Sequence, residues 1–181
     1  MAIRKLYIFV EGHDDQLFFE RAVLPMLADE YDDIEVIQYA QMKKEKVNLY
    51  LQSIETLKFD YIFTCDIDYI STVEQKKKLI QNRFNLVASD KISVAIKEIE
   101  SWFIAGFPDK VSRSFGIRPQ KRTDNLTKEQ FNQLYHRNFH SRIDFMIEIL
   151  NHFSHETAKT KNRSYKYFAE HWVDHIKAEL V

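Results

Sequence analysis

Two short acidic segments close apolar runs in this chain. Residues 6–10, Leu-Tyr-Ile-Phe-Val, lead into Glu11-Gly12-His13-Asp14-Asp15, and residues 61–65 lead into Asp66-Ile67-Asp68. Carboxylates gathered in one place repel one another unless a cation or a proton relieves them, and their hard oxygens suit Mg²⁺ or Mn²⁺ better than zinc. An ion held that way is a Lewis acid that activates water in phosphoryl chemistry. Asp66 and Asp68 stand two apart, which keeps both on one face if the strand continues, with Ile67 turned toward the core. Plainer readings stand beside these. Asp14 or Asp15 can cap a following helix, Gly12 can serve a tight turn, and His13 is either a proton-transfer group or a loop histidine.

Such residues act together only if the elements around them bring them together. The first half alternates strand and helix signals: strands over 6–10, 34–39, 59–65 and 92–96, and helices over 14–28, 43–57, 71–84 and 97–105, with Pro25 disturbing the end of the first helix. This rhythm predicts an α/β fold with a mostly parallel sheet flanked by helices. In such a sheet the carboxyl ends of neighbouring strands share one crevice, so Glu11, Asp66 and Asp68 meet if their strands are adjacent. Residues 106–125, broken by Gly106, Pro108, Gly116 and Pro119, read as an irregular connection. Helical spacing returns over 127–135, 142–153 and 164–180. The expected organisation is an α/β core over 1–105, with a connecting and mainly helical C-terminal region over 106–181.

With 181 residues and 45% hydrophobic content the chain can bury a sizeable core without staples. A single cysteine, Cys65, excludes an internal disulfide framework and a structural zinc set. No leader or membrane-length apolar run is evident, so the expectation is a cytoplasmic protein with no membrane partner. With only three glycines there is no glycine-rich nucleotide loop. Charge is unevenly spread: residues 1–105 carry 13 Lys/Arg against 18 Asp/Glu, and 106–181 carry 13 against 9. The acidic half suits an ion and the basic half a phosphate-bearing partner.

Within the basic half, Lys159, Lys161, Arg163 and Lys166 surround Tyr165 and Tyr167. They read either as a track for a phosphate backbone or as the solvated start of a helix, capped by Ser164 and packed through Tyr165, Phe168, Trp172 and Ile176. Lys97 is either a phosphate contact or a solvated helix residue. Trp102 and Phe103 are core residues or, alternatively, base-stacking ones. His136, His140, His152, His155, His171 and His175 lack a metal-binding motif and read as scattered surface or core histidines.

The two acidic segments, in this order, resemble the Toprim fold of topoisomerases, bacterial primases, small RNA-maturation nucleases and the overcoming-lysogenization-defect nucleases. In that family one strand ends in Glu-Gly and a later one in Asp-x-Asp, as in Val10-Glu11-Gly12 and Cys65-Asp66-Ile67-Asp68. The segment Ile96-Lys97-Glu98-Ile99-Glu100-Ser101-Trp102-Phe103 resembles an acidic, Trp-containing segment of stand-alone bacterial Toprim-like proteins, several of which belong to mobile or phage-defence loci. The resemblance covers about residues 3–105. It implies that Glu11 is a metal ligand or the acid/base and that Asp66 and Asp68 are ligands to Mg²⁺ or Mn²⁺. It also implies that Glu100, or less well Glu98, completes a second metal position.

No tyrosine-nucleophile domain or primase zinc module is evident, so the resemblance points to the nuclease branch. It implies a metal-dependent hydrolase of phosphodiester bonds, with nucleic acid as partner and a homodimer as a reasonable assembly on a duplex. Two alternatives stay open. One is a phosphohydrolase acting on a small substrate, with Asp66 as nucleophile. The other is a Toprim-derived binding or toxin-like subunit that depends on a protein partner encoded nearby.

Overall fold

The computed structural model describes residues 3–135 and 139–175. The chain divides into two compact units, Met1–Val94 and Ala95–Val181. The segment 96–103 therefore belongs to the second unit.

The first unit is an α/β unit built on a four-stranded, all-parallel sheet flanked by helices. Its elements are β1 (Lys5–Val10), α1 (His13–Phe18), α2 (Leu24–Leu27), β2 (Asp33–Gln38), α3 (Lys44–Leu57), β3 (Asp60–Asp66), α4 (Val73–Arg83) and β4 (Ile92–Ala95). Between α1 and α2 the backbone widens into a π-helical turn, Phe19–Val23. Pro25 explains the disturbance: it has no N–H for the carbonyl four residues back, and its ring crowds that carbonyl. Helix α3 stops at Lys58, whose left-handed backbone (φ 56°) lets Phe59 N–H reach the Ile54 carbonyl at 3.0 Å. Thr72 starts α4 by accepting from Gln75 N–H.

Strand order is β2-β1-β3-β4. From β1 the chain moves to β2 on one side and then crosses to β3 on the other. The order therefore reverses between β1 and β3, and open parallel sheets leave a ligand-accepting crevice at such a point, outside the carboxyl ends of the strands. The register pairs Leu6 with Asp60 and Phe9 with Phe63, so β3 runs two residues past the end of β1 and Asp66 stands beside the turn that follows Glu11. Both strands are largely buried, as central strands of a covered sheet should be. Phe9 and Phe63 stack at 5.3 Å, Tyr39 packs on Phe63 at 4.3 Å, and Phe84 closes the group. Truncating such a buried ring costs about 3–5 kcal/mol.

The second unit is helical: α5 (Glu100–Ala105), α6 (Asp109–Ser114), α7 (Lys128–Leu134), α8 (Arg142–Asn151), α9 (His155–Lys161) and α10 (Arg163–Phe168), continued by a π-helical Ala169–Asp174. Two of these differ from the sequence expectation. Helix α6 lies within the stretch read as irregular, and α9 lies where only a basic cluster was read. Both are under two turns long, too short to develop an apolar period. Side-chain caps compensate for the short lengths: Thr127, Ser141, Ser154 and Asn162 each accept a first-turn N–H. Trp102, Phe103, Phe131, Phe145, Tyr165 and Phe168 form the core. Trp102 and Phe103 are 1% and 0% exposed, which removes them from any base-stacking role. The end of the helix expected over 164–180, including Ile176, lies outside the described residues, as does His136. No helix among the described residues is long and apolar enough to cross a membrane.

Candidate functional site

Glu11 follows the last residue of β1, and Asp66 is the last residue of β3, so both stand at the point where the strand order reverses. The Glu11 Oε1 atom accepts from Asp66 N–H at 3.3 Å and contacts the Tyr39 hydroxyl at 3.3 Å. Tyr39 follows the end of β2 and has one phenolic proton, with the Thr64 carbonyl 3.1 Å away. A single residue from each of three strand ends thus meets at this carboxylate.

β3 does not continue through the Asp-x-Asp segment. It ends at Asp66, Ile67 is buried as expected, and Asp68 takes up a left-handed backbone with φ 53°. Asp tolerates that conformation better than most residues. The turn presents its carboxylate to Lys76, whose Nζ lies 2.5 Å from Asp68 Oδ2 and 4.0 Å from Glu11 Oε1. Lys76 comes from α4 and its side chain is only 9% exposed, so its ammonium sits in the acidic crevice as a built-in cation.

The electrostatics follow from this packing. Burial raises the Glu11 pKa above the ordinary glutamate value; Lys76 works against the rise and Asp68 adds to it. Burial works against the charge on Lys76, but the hydrogen bond to Asp68 and the surrounding negative groups outweigh it and hold the lysine above its ordinary value. Burial, with Glu11 next, pushes the Tyr39 phenol far up, and Cys65 is likewise raised by burial, so neither ionises near neutrality. The site therefore offers a carboxyl whose pKa is raised by burial, a neutral phenol and a fixed ammonium.

The other acidic candidates are occupied locally. Asp15 is buried and its Oδ2 accepts from Gly12 N–H at 3.2 Å, the helix-capping role read for it. His13 is exposed at the first position of α1. In the second unit, Glu100 is 1% exposed and its Oε1 is held by Arg142 Nη2 at 2.9 Å and Lys128 Nζ at 3.2 Å. Glu98 accepts from Lys128 N–H. Both carboxylates thereby tie α5 and the turn before it to α7 and α8. Lys97 is exposed, with a left-handed backbone at φ 66°.

The basic candidates divide in the same way. Lys161 is buried, and its ammonium is used by the Phe107 carbonyl at 2.9 Å and Asp109 at 2.7 Å. Lys159 pairs with Glu156 and Asp174, and Lys166 with Glu170. The Arg163 side chain is exposed. Among the histidines, His155 contacts the Tyr165 hydroxyl, His152 faces Glu148, and His171 stacks on Tyr167.

Sequence reasoning missed Tyr39 and Lys76. Lys76 carried a signal, since it lies four residues before Ile80 and eight before Phe84, on the stripe that α4 buries. The donor set of Glu11, Asp66 and Asp68 is all hard oxygen and fits Mg²⁺ or Mn²⁺ in chemistry, and the Lys76 ammonium between Glu11 and Asp68 shows that the crevice accommodates a cation. Among the described residues, no three His, Cys, Asp or Glu side chains stand close enough to hold a metal ion in this arrangement. Comparison with family models, curated proteins and solved structures gives no match to this chain.

Proposed function

We propose that this chain is a divalent-cation-dependent hydrolase of phosphodiester bonds, a nuclease of Toprim type. The observation that carries the reading is the convergence of Glu11 and Asp68 on one cation, Lys76 Nζ, beside Asp66 at the point where the order of a parallel sheet reverses. Glu11, Asp66 and Asp68 are the residues that would hold Mg²⁺ or Mn²⁺. The ion would supply Lewis-acid activation of water and charge neutralisation on the phosphate.

The chain's own residues supply the rest. Glu11 serves either as an ionised ligand or as the acid/base, burial raising its pKa above the ordinary glutamate value, and Tyr39 and Asp66 N–H fix the orientation of that carboxyl. Lys76 offsets negative charge at the crevice and favours approach of an anionic phosphate. Glu100 lies in the second unit and is committed to Arg142 and Lys128, so the reading uses one ion at Glu11, Asp66 and Asp68.

A second reading has an observation of its own. Because Lys76 already offsets part of the negative charge in the crevice, the same fold could serve as a binding subunit that needs no ion and acts with a protein partner. Calorimetric titration with Mn²⁺ separates the two. The hydrolase reading expects binding by the wild type, loss in Asp66→Asn and Glu11→Gln with both variants folded, and cleavage of single-stranded DNA, duplex DNA or RNA that follows ion occupancy. A wild type that binds no Mn²⁺ and cuts none of these substrates overturns it in favour of the binding subunit.

A further inference from the structure

In the second unit the residues 118–122, Arg-Pro-Gln-Lys-Arg, form an exposed basic loop that is pinned at both ends. At its start Ile117 is 2% exposed; its N–H bonds the Ser112 carbonyl at 2.9 Å and its carbonyl accepts from the Ser112 hydroxyl at 2.9 Å. At its end Thr123 is 1% exposed, its N–H bonds the Lys161 carbonyl at 3.0 Å and its hydroxyl accepts from Asn162 Nδ2 at 3.1 Å. Asn162 is also the cap of α10, which displays Arg163, Lys166 and Tyr167, and Asp124 accepts from Arg163 N–H at 2.7 Å. Loop and helix start are therefore one scaffold, so the backbone positions that carry these cations are fixed relative to one another.

Two shallow grooves run along this scaffold. One is lined by Arg113, Arg118 and Lys121, with Asp109 at its edge. The other is lined by Arg122, Lys159, Arg163 and Lys166, with Glu156 and Glu170. Arg122, Lys159 and Lys166 are balanced by Asp124, Glu156 and Glu170. Arg118, Lys121 and Arg163 form no ion pair with the described residues and keep their charge for an external anion. One turn along from Arg163, Tyr167 is 55% exposed and lies flat on His171 at 5.6 Å and 10°, a stacked aromatic surface open on its outer side. Cations spaced along grooves beside an exposed aromatic match the two halves of a nucleotide strand, phosphates and bases.

We propose that Arg118, Lys121 and Arg163, with Tyr167 as a stacking platform, form a binding face for single-stranded nucleic acid. The inference rests on the proposed function for the class of ligand, but not on cleavage, and it moves the contact surface from Lys161, which is buried, to a loop that the sequence pattern did not single out.

The test is fluorescence anisotropy of the full chain in EDTA, with labelled single-stranded RNA, single-stranded DNA and duplex DNA across a salt series. Three phosphates neutralised on a single strand give a log–log salt slope of about −2. Arg118→Ala/Lys121→Ala/Arg163→Ala flattens that slope and weakens binding roughly tenfold or more at low salt. Tyr167→Ala weakens single-strand binding with the slope unchanged. Lys43→Ala/Lys44→Ala/Lys46→Ala, which removes three exposed charges from the first unit, leaves binding as in the wild type. The proposal is overturned if no strand binds in EDTA, if duplex is preferred, if polyglutamate competes as well as RNA, or if the two triple variants behave alike. Far-UV circular dichroism and thermal unfolding confirm that each variant is folded. Binding in EDTA without cleavage in Mn²⁺ leaves this face standing and removes the hydrolase reading.

Discussion

Replacing Lys76 with Met tests the crevice most directly, because it removes the built-in cation and keeps the apolar stem. An exposed ion pair contributes about 0–1 kcal/mol, whereas removing one partner of a fully buried pair costs about 3–5 kcal/mol. Here the lysine side chain is 9% exposed, Glu11 29% and Asp68 49%, so the site lies between those limits. The expected loss in EDTA is about 2 kcal/mol. For a unit of 94 residues that corresponds to a fall in Tm of about 10 °C. The ion should reverse the loss: a ligand at about 100 times its Kd stabilises by about 2.7 kcal/mol, and the variant no longer has an ammonium competing for the same oxygens. Trp102 and Trp172 both lie in the second unit, so their fluorescence does not follow the crevice. Hydrogen exchange of peptides covering β1 and β3 does. Unchanged protection in EDTA would show that the ammonium is not needed to hold the carboxylates together. Lost protection that Mn²⁺ fails to restore would show that the crevice does not take a divalent ion in its place.

Other perturbations reach other parts of the molecule. Glu11 has a raised folded pKa, so its contribution to stability is complete below the ordinary value of 4.5 and is lost as pH rises through the folded value; urea midpoints between about pH 4 and pH 8 should show Glu11→Gln gaining on the wild type as pH rises, and a constant difference would refute this. Asn162, 1% exposed, caps α10 and bonds Ser101, Thr123 and Ser164, so Asn162→Ala should cost about 3–4 kcal/mol by tryptophan-monitored unfolding; a loss below about 1 kcal/mol would show these bonds are readily replaced. A methyl on Gly106 would stand 2.1 Å from the Phe153 ring, so Gly106→Ala should cost about 1–3 kcal/mol, and Phe153→Leu should recover part of it in a double-mutant cycle.

The parts of this fold that alternate over long stretches were legible. The strands 6–10 and 59–65 announced themselves as apolar runs ended by charge, and they became β1 and β3 side by side, with Glu11 and Asp66 in contact. Asp68 was legible as a participant but not in its manner, because a left-handed turn replaces the expected strand alternation. Lys76 and Tyr39 were hidden by distance: each reaches the crevice from an element that looked ordinary by itself, one a charged helix and the other a strand end. Glu100 shows the converse. Its position in a resembling segment says nothing of Arg142, 42 residues on, which claims the carboxylate only once α8 is folded. Lys161 looked like surface because lysine usually is, and it is buried because Asp109 and the Phe107 carbonyl both accept from it.

The hydrogen bond from Asp66 to Glu11 joins residues 55 apart, and it forms between two parallel strands that have the whole of β2 and α3 between them. Parallel pairing of that span has no local hairpin to start from, and its loop-closure cost is met late. During synthesis, then, the nascent chain carries Glu11 out of the ribosome long before its partners follow. An amino-terminal fragment ending before β3 has no acidic crevice at all, so whatever chemistry the crevice performs is withheld until the sheet has closed around it.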